Sequence, residues 1–181
     1  GHVLFVSADA VAEVRGVTLT NGIGSGFVIS QSGGGGLQNH GTLTLTETVV
    51  RDNTLPANRI AQGAGIYNVG SLTLLRSTVT NNSSPVENRS AGLHSGGGIY
   101  NEGLLGGVLM VGESTISNNE IGANGGGIFN RGDATIINST VSVNTANIGF
   151  GGGIANLGAG NFSARLTVIN STISGNTCGT A

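Results

Sequence analysis

The sequence contains no lysine, a single cysteine and two prolines among its 181 residues. Without lysine and with a net charge of −2, it lacks the basic face that nucleic-acid-binding proteins use to displace counterions. One cysteine excludes an internal disulfide framework and a cysteine-rich zinc site, and we expect no metal ion and no cofactor. No signal sequence opens the chain and no apolar run approaches the length of about 18 residues that a membrane helix needs. We therefore expect no membrane insertion.

Glycine is abundant instead, with 34 residues, and the glycines follow no Gly-x-y period, which excludes collagen. Five glycine-rich segments resemble one another, and each leads directly into an apolar residue. These residues are Leu37, Ile66, Ile99, Ile128 and Ile154. Their spacing varies from 26 to 33 residues. The variation disappears when residues at two insertion points are set aside, which leaves 19 residues in every interval. A constant repeat with insertions at fixed places is typical of a solenoid, because each coil must lie on the coil below.

Each repeat alternates apolar and polar residues, as in Leu72-Thr73-Leu74, and β-branched residues dominate. This period of two predicts strands, and no window carries apolar residues at helical spacing. We therefore predict an all-β fold over 1–181, a right-handed parallel β-helix (β-solenoid) of about six coils with roughly three short strands each. The predicted units are a degenerate first coil at 3–22, then 33–53, 63–82, 96–119, 125–144 and 151–176.

Two asparagine columns recur at fixed places in the repeat. A stacked side-chain amide can bond to the copies above and below it, so we predict structural ladders at both places. Asparagine also tolerates the left-handed conformation that bends require. The first column is Asn39, Asn68, Asn101, Asn130 and Asn156, and the second is Asn53, Asn82, Asn119, Asn144 and Asn176.

The segments Gly-Gly-Gly-Ile-Tyr-Asn (96–101) and Leu-Thr-Val-Ile-Asn-Ser-Thr-Ile-Ser-Gly-Asn (166–176) resemble bacterial right-handed parallel β-helix repeat proteins. Those proteins are secreted or surface-anchored and include proteins similar to the polymorphic outer-membrane autotransporters. The resemblance covers residues 13–176 and implies an extracellular or cell-surface location with an adhesive or structural role. No catalytic motif comes with it.

The first hypothesis for function is therefore a non-enzymatic structural or adhesive solenoid, a fibre subunit that stacks end to end. Neither end shows a capping segment, so either the sequence is an excerpt of a longer chain or subunits stack end to end. We expect self-association through the open ends, with surface glycans as a second class of partner. The longest insertions, 54–62 and 83–95, lie on one edge, where solenoids often recognise partners. The binding candidates on this edge are Arg59, Glu87, Arg89 and His94.

A polysaccharide-active lyase or hydrolase is the second hypothesis. Glu47, Arg76 and Glu113 occupy one repeat position on three successive coils, and two carboxylates two rungs apart approach the separation of an inverting glycosidase pair. A surface ladder of opposite charges explains the same pattern, so we assign no catalytic residue.

Two further features concern the outer surface. Outward threonine columns, such as Thr78, Thr115 and Thr140, make an ice-binding module the third hypothesis, although threonine is favoured on any exposed strand face. Several Asn-x-Ser/Thr sequons also occur, and we expect glycosylation, if the source organism carries it out, at Asn88, Asn138 and Asn170.

Overall fold

The computed structural model describes residues 1–24, 32–56, 61–84, 94–158 and 163–179. Within these ranges the chain forms 24 short strands and no helix. No described segment is a helix long and apolar enough to cross a membrane. The predictions for Arg59, Glu87, Asn88 and Arg89 lie outside the described residues.

The strands succeed one another coil by coil along the chain. The first coil contains β1 (Leu4–Val6), β2 (Val11–Arg15) and β3 (Thr18–Thr20). The second contains β4 (Ser32–Gly33), β5 (Leu37–Asn39), β6 (Thr42–Thr46) and β7 (Val49–Arg51). The third contains β8 (Ala61–Gln62), β9 (Ile66–Asn68), β10 (Ser71–Leu75) and β11 (Thr78–Thr80). The fourth contains β12 (His94–Ser95), β13 (Ile99–Asn101), β14 (Val108–Gly112) and β15 (Thr115–Ser117). The fifth contains β16 (Glu120–Ile121), β17 (Ile128–Asn130), β18 (Asp133–Ile137) and β19 (Thr140–Ser142). The sixth contains β20 (Thr145–Ala146), β21 (Ile154–Asn156), β22 (Arg165–Ile169) and β23 (Thr172–Ser174), and β24 (Thr177–Cys178) follows it.

Equivalent strands of successive coils pair side by side in three six-stranded parallel sheets. Sheet 1 has the order β1-β5-β9-β13-β17-β21, sheet 2 has β2-β6-β10-β14-β18-β22, and sheet 3 has β3-β7-β11-β15-β19-β23. Two three-stranded sheets, β4-β8-β12 and β16-β20-β24, extend the coils at one corner. The chain is a right-handed parallel β-helix of about six coils, as the repeat predicts.

The register of the sheets matches the 19-residue repeat. Ile99 lies opposite Ile66 on one side and Ile128 on the other, so the three side chains stack along one axis. The same holds for Val79, which pairs with Val50 and Ile116 in sheet 3. The structure refines this count. Thr42, Ser71, Val108 and Asp133 are paired residues of sheet 2, so the repeat gains one position, and the residues inserted between sheets 1 and 2 in the fourth coil are 104–107.

The core lies inside the coil and consists of the inward residues of all three sheets. Ile66, Ile99, Ile116 and Ile136 have no solvent exposure, because every inward side chain is covered by the coils above and below. Full burial of one such aliphatic side chain contributes about 1.5–3 kcal/mol. This contribution, repeated in every coil, offsets the ordering of a glycine-rich backbone.

Left-handed residues make the bends between sheets. The bend after sheet 2 uses Gly16, Glu47, Arg76, Glu113, Asn138 and Asn170, and the bend after sheet 3 uses Asn21, Asp52, Asn81, Asn118, Val143 and Gly175. Our expectation that the ladder asparagines themselves are left-handed is wrong. The residue immediately before each member of the second column has the positive φ, which turns the chain so that the next side chain, the ladder asparagine, points inward.

Both asparagine columns form hydrogen-bonded ladders inside the coil. In the first, each side-chain amide donates to the side-chain oxygen of the next coil at 2.7–2.8 Å, from Asn39 through to Asn156. In the second, the corresponding distance is 2.9 Å at every step from Asn53 to Asn176. The second ladder also satisfies backbone groups, because each Oδ1 accepts the backbone N–H of the asparagine one coil earlier.

A third polar column escaped the sequence analysis. The backbone N–H of each residue at this position donates to the hydroxyl of the next coil at 3.0–3.1 Å. The column is Thr48, Ser77, Ser114, Ser139 and Ser171. The hydroxyls of the serines lie 2.7–2.8 Å from the carbonyl oxygen two residues earlier, to which they donate. A hydroxyl accepts and donates at once, so it closes the bend between sheets 2 and 3 without a larger side chain.

A candidate binding cleft on sheet 1

An aromatic column runs along the outer face of sheet 1. Strand alternation points Ile99 inward and Tyr100 outward, yet Tyr100 is 1% exposed and its neighbours Tyr67 and Phe129 are also buried. The ring centroids of Tyr67 and Tyr100 lie 5.5 Å apart and those of Tyr100 and Phe129 lie 5.2 Å apart, both in stacked geometry. In the third to fifth coils the outer face of sheet 1 is therefore a second packed layer, whereas Phe5 in the first coil is 56% exposed.

A buried charged network lies beside this column. The Tyr100 hydroxyl donates to Glu102 Oε2 at 3.1 Å, and Arg131 Nη1 donates to the same hydroxyl at 3.1 Å. Arg131 Nη1 also lies 3.6 Å from Glu102 Oε2, and the backbone N–H of Leu104 donates to Glu102 Oε1 at 3.0 Å. Arg131 thus contacts Glu102 of the preceding coil. Because these donors satisfy the carboxylate, Glu102 can remain 1% exposed.

The phenol in this network is protonated at neutral pH, as an ordinary tyrosine is, and burial extends its protonated range to higher pH. Burial raises the pKa of Tyr100 to about 12, and this effect outweighs the opposing hydrogen bond from Arg131. The phenol therefore keeps its proton at neutral pH and can serve as the donor to Glu102. Arg131, whose side chain is 22% exposed, is the charged member of the network that reaches the surface.

A cleft of about 310 Å³ opens over this part of sheet 1. One wall comes from residues beside sheet 1 at the start of successive coils, and the other comes from Arg131 and the segment after β21. The described lining residues are Gln62, Ser95, Tyr100, Asn124, Phe129, Arg131, Leu157 and Gly158. Amide, hydroxyl and guanidinium groups thus converge on an aromatic floor, in a volume at the lower end of ligand pockets.

His94 does not lie on an exposed loop edge. It begins β12, pairs with Ala61 and is 2% exposed, because its side chain points into a small corner of the coil. Its buried Nδ1 has no hydrogen-bond partner in the described part of the chain. We predicted His94 as a binding residue on an exposed loop edge. His94 is buried instead, so its predicted placement on that edge is wrong.

Acid should destabilise the fold through His94. Burial lowers the pKa of His94 below its ordinary value near 6.5, so the folded state prefers the neutral ring. The unfolded chain binds a proton as the pH falls through about 6.5, and the folded chain does not. Stability is therefore complete above this pH and decreases below it. Urea unfolding at neutral pH and at pH about 5 should show that His94→Leu loses less stability on acidification than the wild type.

A second histidine supplies the comparison for this measurement. Partial burial, aided by the charge of His2, also lowers the pKa of His40, but His40 is only half-buried. We expect His40→Gln to reduce the acid sensitivity less than His94→Leu does. Equal slopes for the wild type and His94→Leu would contradict the assignment.

The column of Glu47, Arg76 and Glu113 on the outer bend is only partly a ladder of opposite charges. Glu47 Oε2 lies 3.2 Å from Arg15 Nε, and Glu47 Oε1 lies 3.4 Å from Arg76 Nε. Hydrogen bonds from Arg15, followed by its charge and by Arg76, lower the pKa of Glu47, whereas a general acid needs a raised pKa. Within the described residues Glu113 forms no ion pair.

The other surface candidates are placed as follows. Asn138 and Asn170 occupy the same bend position as Glu47 and are exposed. The threonine columns are interrupted, since Met110 stands between Thr73 and Thr135 in sheet 2 and Val49 precedes Thr78 in sheet 3. Among the described residues no three His, Cys, Asp or Glu side chains form a group that could hold a metal ion.

No family model, no curated protein and no solved structure matches this chain. The protein is therefore classified by its fold, as a right-handed parallel β-helix with repeats that stack in register. The cleft itself was missed at the level of sequence. One signal for it was present, because Tyr67, Tyr100 and Phe129 occupy an outward strand position that a solvated face fills with polar residues.

Proposed function

We propose that the protein is a non-enzymatic structural or adhesive solenoid that associates end to end. The observation that carries the proposal is the apolar face of the last coil. Ile173 is 49% exposed and Val168 is 40% exposed, whereas Val141 and Ile136, their counterparts one coil earlier, have no exposure. Val141 and Ile136 are covered by the last coil, whereas Ile173 and Val168 lie in that coil and are partly open to solvent.

The opposite face offers complementary groups. Leu4, Ala12 and Val14 of the first coil are partly buried and pack against the main core on one side only. Val14 occupies the column of Val168, and Leu4 and Ala12 occupy the columns of Ile154 and Leu166. The column of Ile173 begins at Leu19, which is buried. A second copy that continues the register would therefore place apolar groups on apolar groups. Among the described residues β1 and β2 each pair on one side only, and their other edges present backbone donors and acceptors, which favour strand addition. Such a contact is head-to-tail, and it generates a filament when it does not close.

A charge on the last coil should abolish this association. Ile173→Asp places a carboxylate where the next coil would lie, and the half-exposed site lets the chain itself fold. The matched control is Thr172→Asp on the exposed outer side of the same strand. Sedimentation velocity over a range of concentrations, with electron microscopy, should show larger particles for the wild type and Thr172→Asp and monomers for Ile173→Asp.

Two results would refute end-to-end association. One is a wild type that remains monomeric at every concentration. The other is Ile173→Asp that assembles as well as the wild type does. Circular dichroism of each variant shows beforehand that the strands are intact.

The proposal also includes an extracellular or cell-surface location. It is supported by the resemblance of the repeat to secreted and surface-anchored β-helix proteins. Exposed sequons at Asn138 and Asn170 are compatible with modification in that setting.

A further inference from the structure

We infer that the cleft on sheet 1 binds a short, uncharged saccharide. The inference deepens the proposed adhesive role and rests on it, because it names the class of ligand that the solenoid holds. The cleft has a volume of about 310 Å³, which is enough for a small ligand but not for a protein segment with side chains. Its lining groups, and the way in which the neighbouring network uses them, indicate the chemistry of that ligand.

Arg131 supplies the first argument. Both of its contacts, to the Tyr100 hydroxyl and to Glu102, use Nη1. Within the described residues Nη2 and Nε make no hydrogen bond, although the guanidinium is held in place and lines the cleft. A positioned guanidinium with unused N–H groups binds an oxygen acceptor of a ligand without a large loss of side-chain entropy.

The charge balance argues for an uncharged ligand. Glu102 is 1% exposed and lies 3.6 Å from Arg131, so its carboxylate already offsets the guanidinium charge. A carboxylate or phosphate group in the cleft would add a negative charge close to this buried one. A cationic ligand would meet the guanidinium directly. A hydroxyl group avoids both costs, since it accepts from Arg131 without a charge of its own.

The remaining lining groups fit a sugar ring. The side chains of Gln62, Ser95 and Asn124 line the cleft, and their NH₂ and hydroxyl groups can donate to the oxygens of a sugar. Their amide oxygens do not face a ligand, because Asn124 Oδ1 accepts the backbone N–H of Phe150 at 2.9 Å and Gln62 Oε1 is buried. Leu157 is 39% exposed at the rim and offers apolar surface for the C–H face of a pyranose. Several donors beside an apolar side chain fit a saccharide better than they fit a purely apolar ligand.

Two variants test the site in different ways. Leu157→Trp fills the cleft from its rim and leaves the network of Tyr100, Glu102 and Arg131 intact. Arg131→Gln removes the guanidinium. The matched control is Leu105→Trp, since Leu105 is 67% exposed and does not line the cleft. Calorimetric titrations use cellotriose, maltotriose, mannotriose and chitotriose as uncharged probes and trigalacturonate as an acidic probe.

We expect the wild type and Leu105→Trp to bind at least one uncharged trisaccharide, and both cleft variants to bind it about tenfold more weakly. A folded wild type that binds none of the uncharged probes would overturn the inference. So would binding of trigalacturonate alone, or affinities that neither cleft variant changes. Sedimentation of the same samples reports end-to-end association separately, so a failure of saccharide binding is distinguishable from a failure of the solenoid proposal.

Discussion

Asn119→Ala should lower the free energy of unfolding by about 3–5 kcal/mol. The Asn119 side chain is 1% exposed and joins three coils. It donates to Asn144 Oδ1 at 2.9 Å and to the Val79 carbonyl at 3.0 Å, and it accepts the backbone and side-chain N–H groups of Asn82 at 3.1 Å and 2.9 Å. Alanine leaves the buried backbone N–H of Asn82 without its acceptor and removes one partner each from Asn82 Nδ2, Asn144 Oδ1 and the Val79 carbonyl, which costs more than the loss of exposed bonds would.

Asn118→Ala is the matched control for this measurement. Asn118 precedes Asn119 but is exposed, and its φ is 55°. Alanine there should cost about 1 kcal/mol, because it disfavours the left-handed conformation without leaving buried groups unpaired. Urea unfolding followed by circular dichroism gives both values. Equal losses for the two variants would show that the ladder does not stabilise the coil.

The ladders and the core could be predicted because they depend on periodicity. In a coil that must stack in register, residues at the same repeat position become neighbours whatever the length of the insertions between them. The stacking of Ile66, Ile99 and Ile128 therefore follows from counting alone, and the pairs in sheet 1 confirm it. Loop length did not disturb this prediction, because insertions bulge outward at the corners.

The cleft could not be predicted in the same way, because its floor contradicts the alternation rule. An outward residue on a strand is expected to be solvated, and Tyr100 is instead 1% exposed. Whether an outward aromatic residue is covered depends on neighbouring coils and loops, which strand periodicity does not describe. The burial of His94 has the same origin, since its position in a long insertion hid its pairing in β12.

The residue types at the bends could not be predicted from the sequence either. Repeat position identified where the chain turns, but the residue that turns it varies from glycine to Glu47 and even to the β-branched Val143. A left-handed backbone is costly for most side chains, so composition predicts glycine or asparagine there. The stacked coils on either side impose the conformation, and the local preference of the residue is overridden.

The second large effect on stability is expected at the glycine triplets, the three small residues directly before the apolar residue of each repeat. The first glycine of each triplet is left-handed, as at Gly96 with a φ of 73°, and the second position accepts alanine, as the fully buried Ala64 shows. The third position carries glycine in every repeat. A Cβ on Gly98 would lie 2.6 Å from the carbonyl oxygen of Gly127 in the next coil. It would also lie 3.0 Å from the Nδ2 atom of Asn119.

Gly98→Ala should therefore reduce the free energy of unfolding by about 3 kcal/mol, because the added methyl group presses on the Asn119 amide of the ladder as well as on backbone, whereas the glycines at the second position meet backbone alone. Gly112→Ala is the control. Its Cβ would meet the end of the Leu75 side chain at 3.0 Å, which can move, and Ile137 one coil later already carries a side chain at that position. We expect Gly112→Ala to change stability by less than about 1 kcal/mol in urea unfolding. If Gly98→Ala were equally mild, close approach of the coils would not be what restricts the third position to glycine.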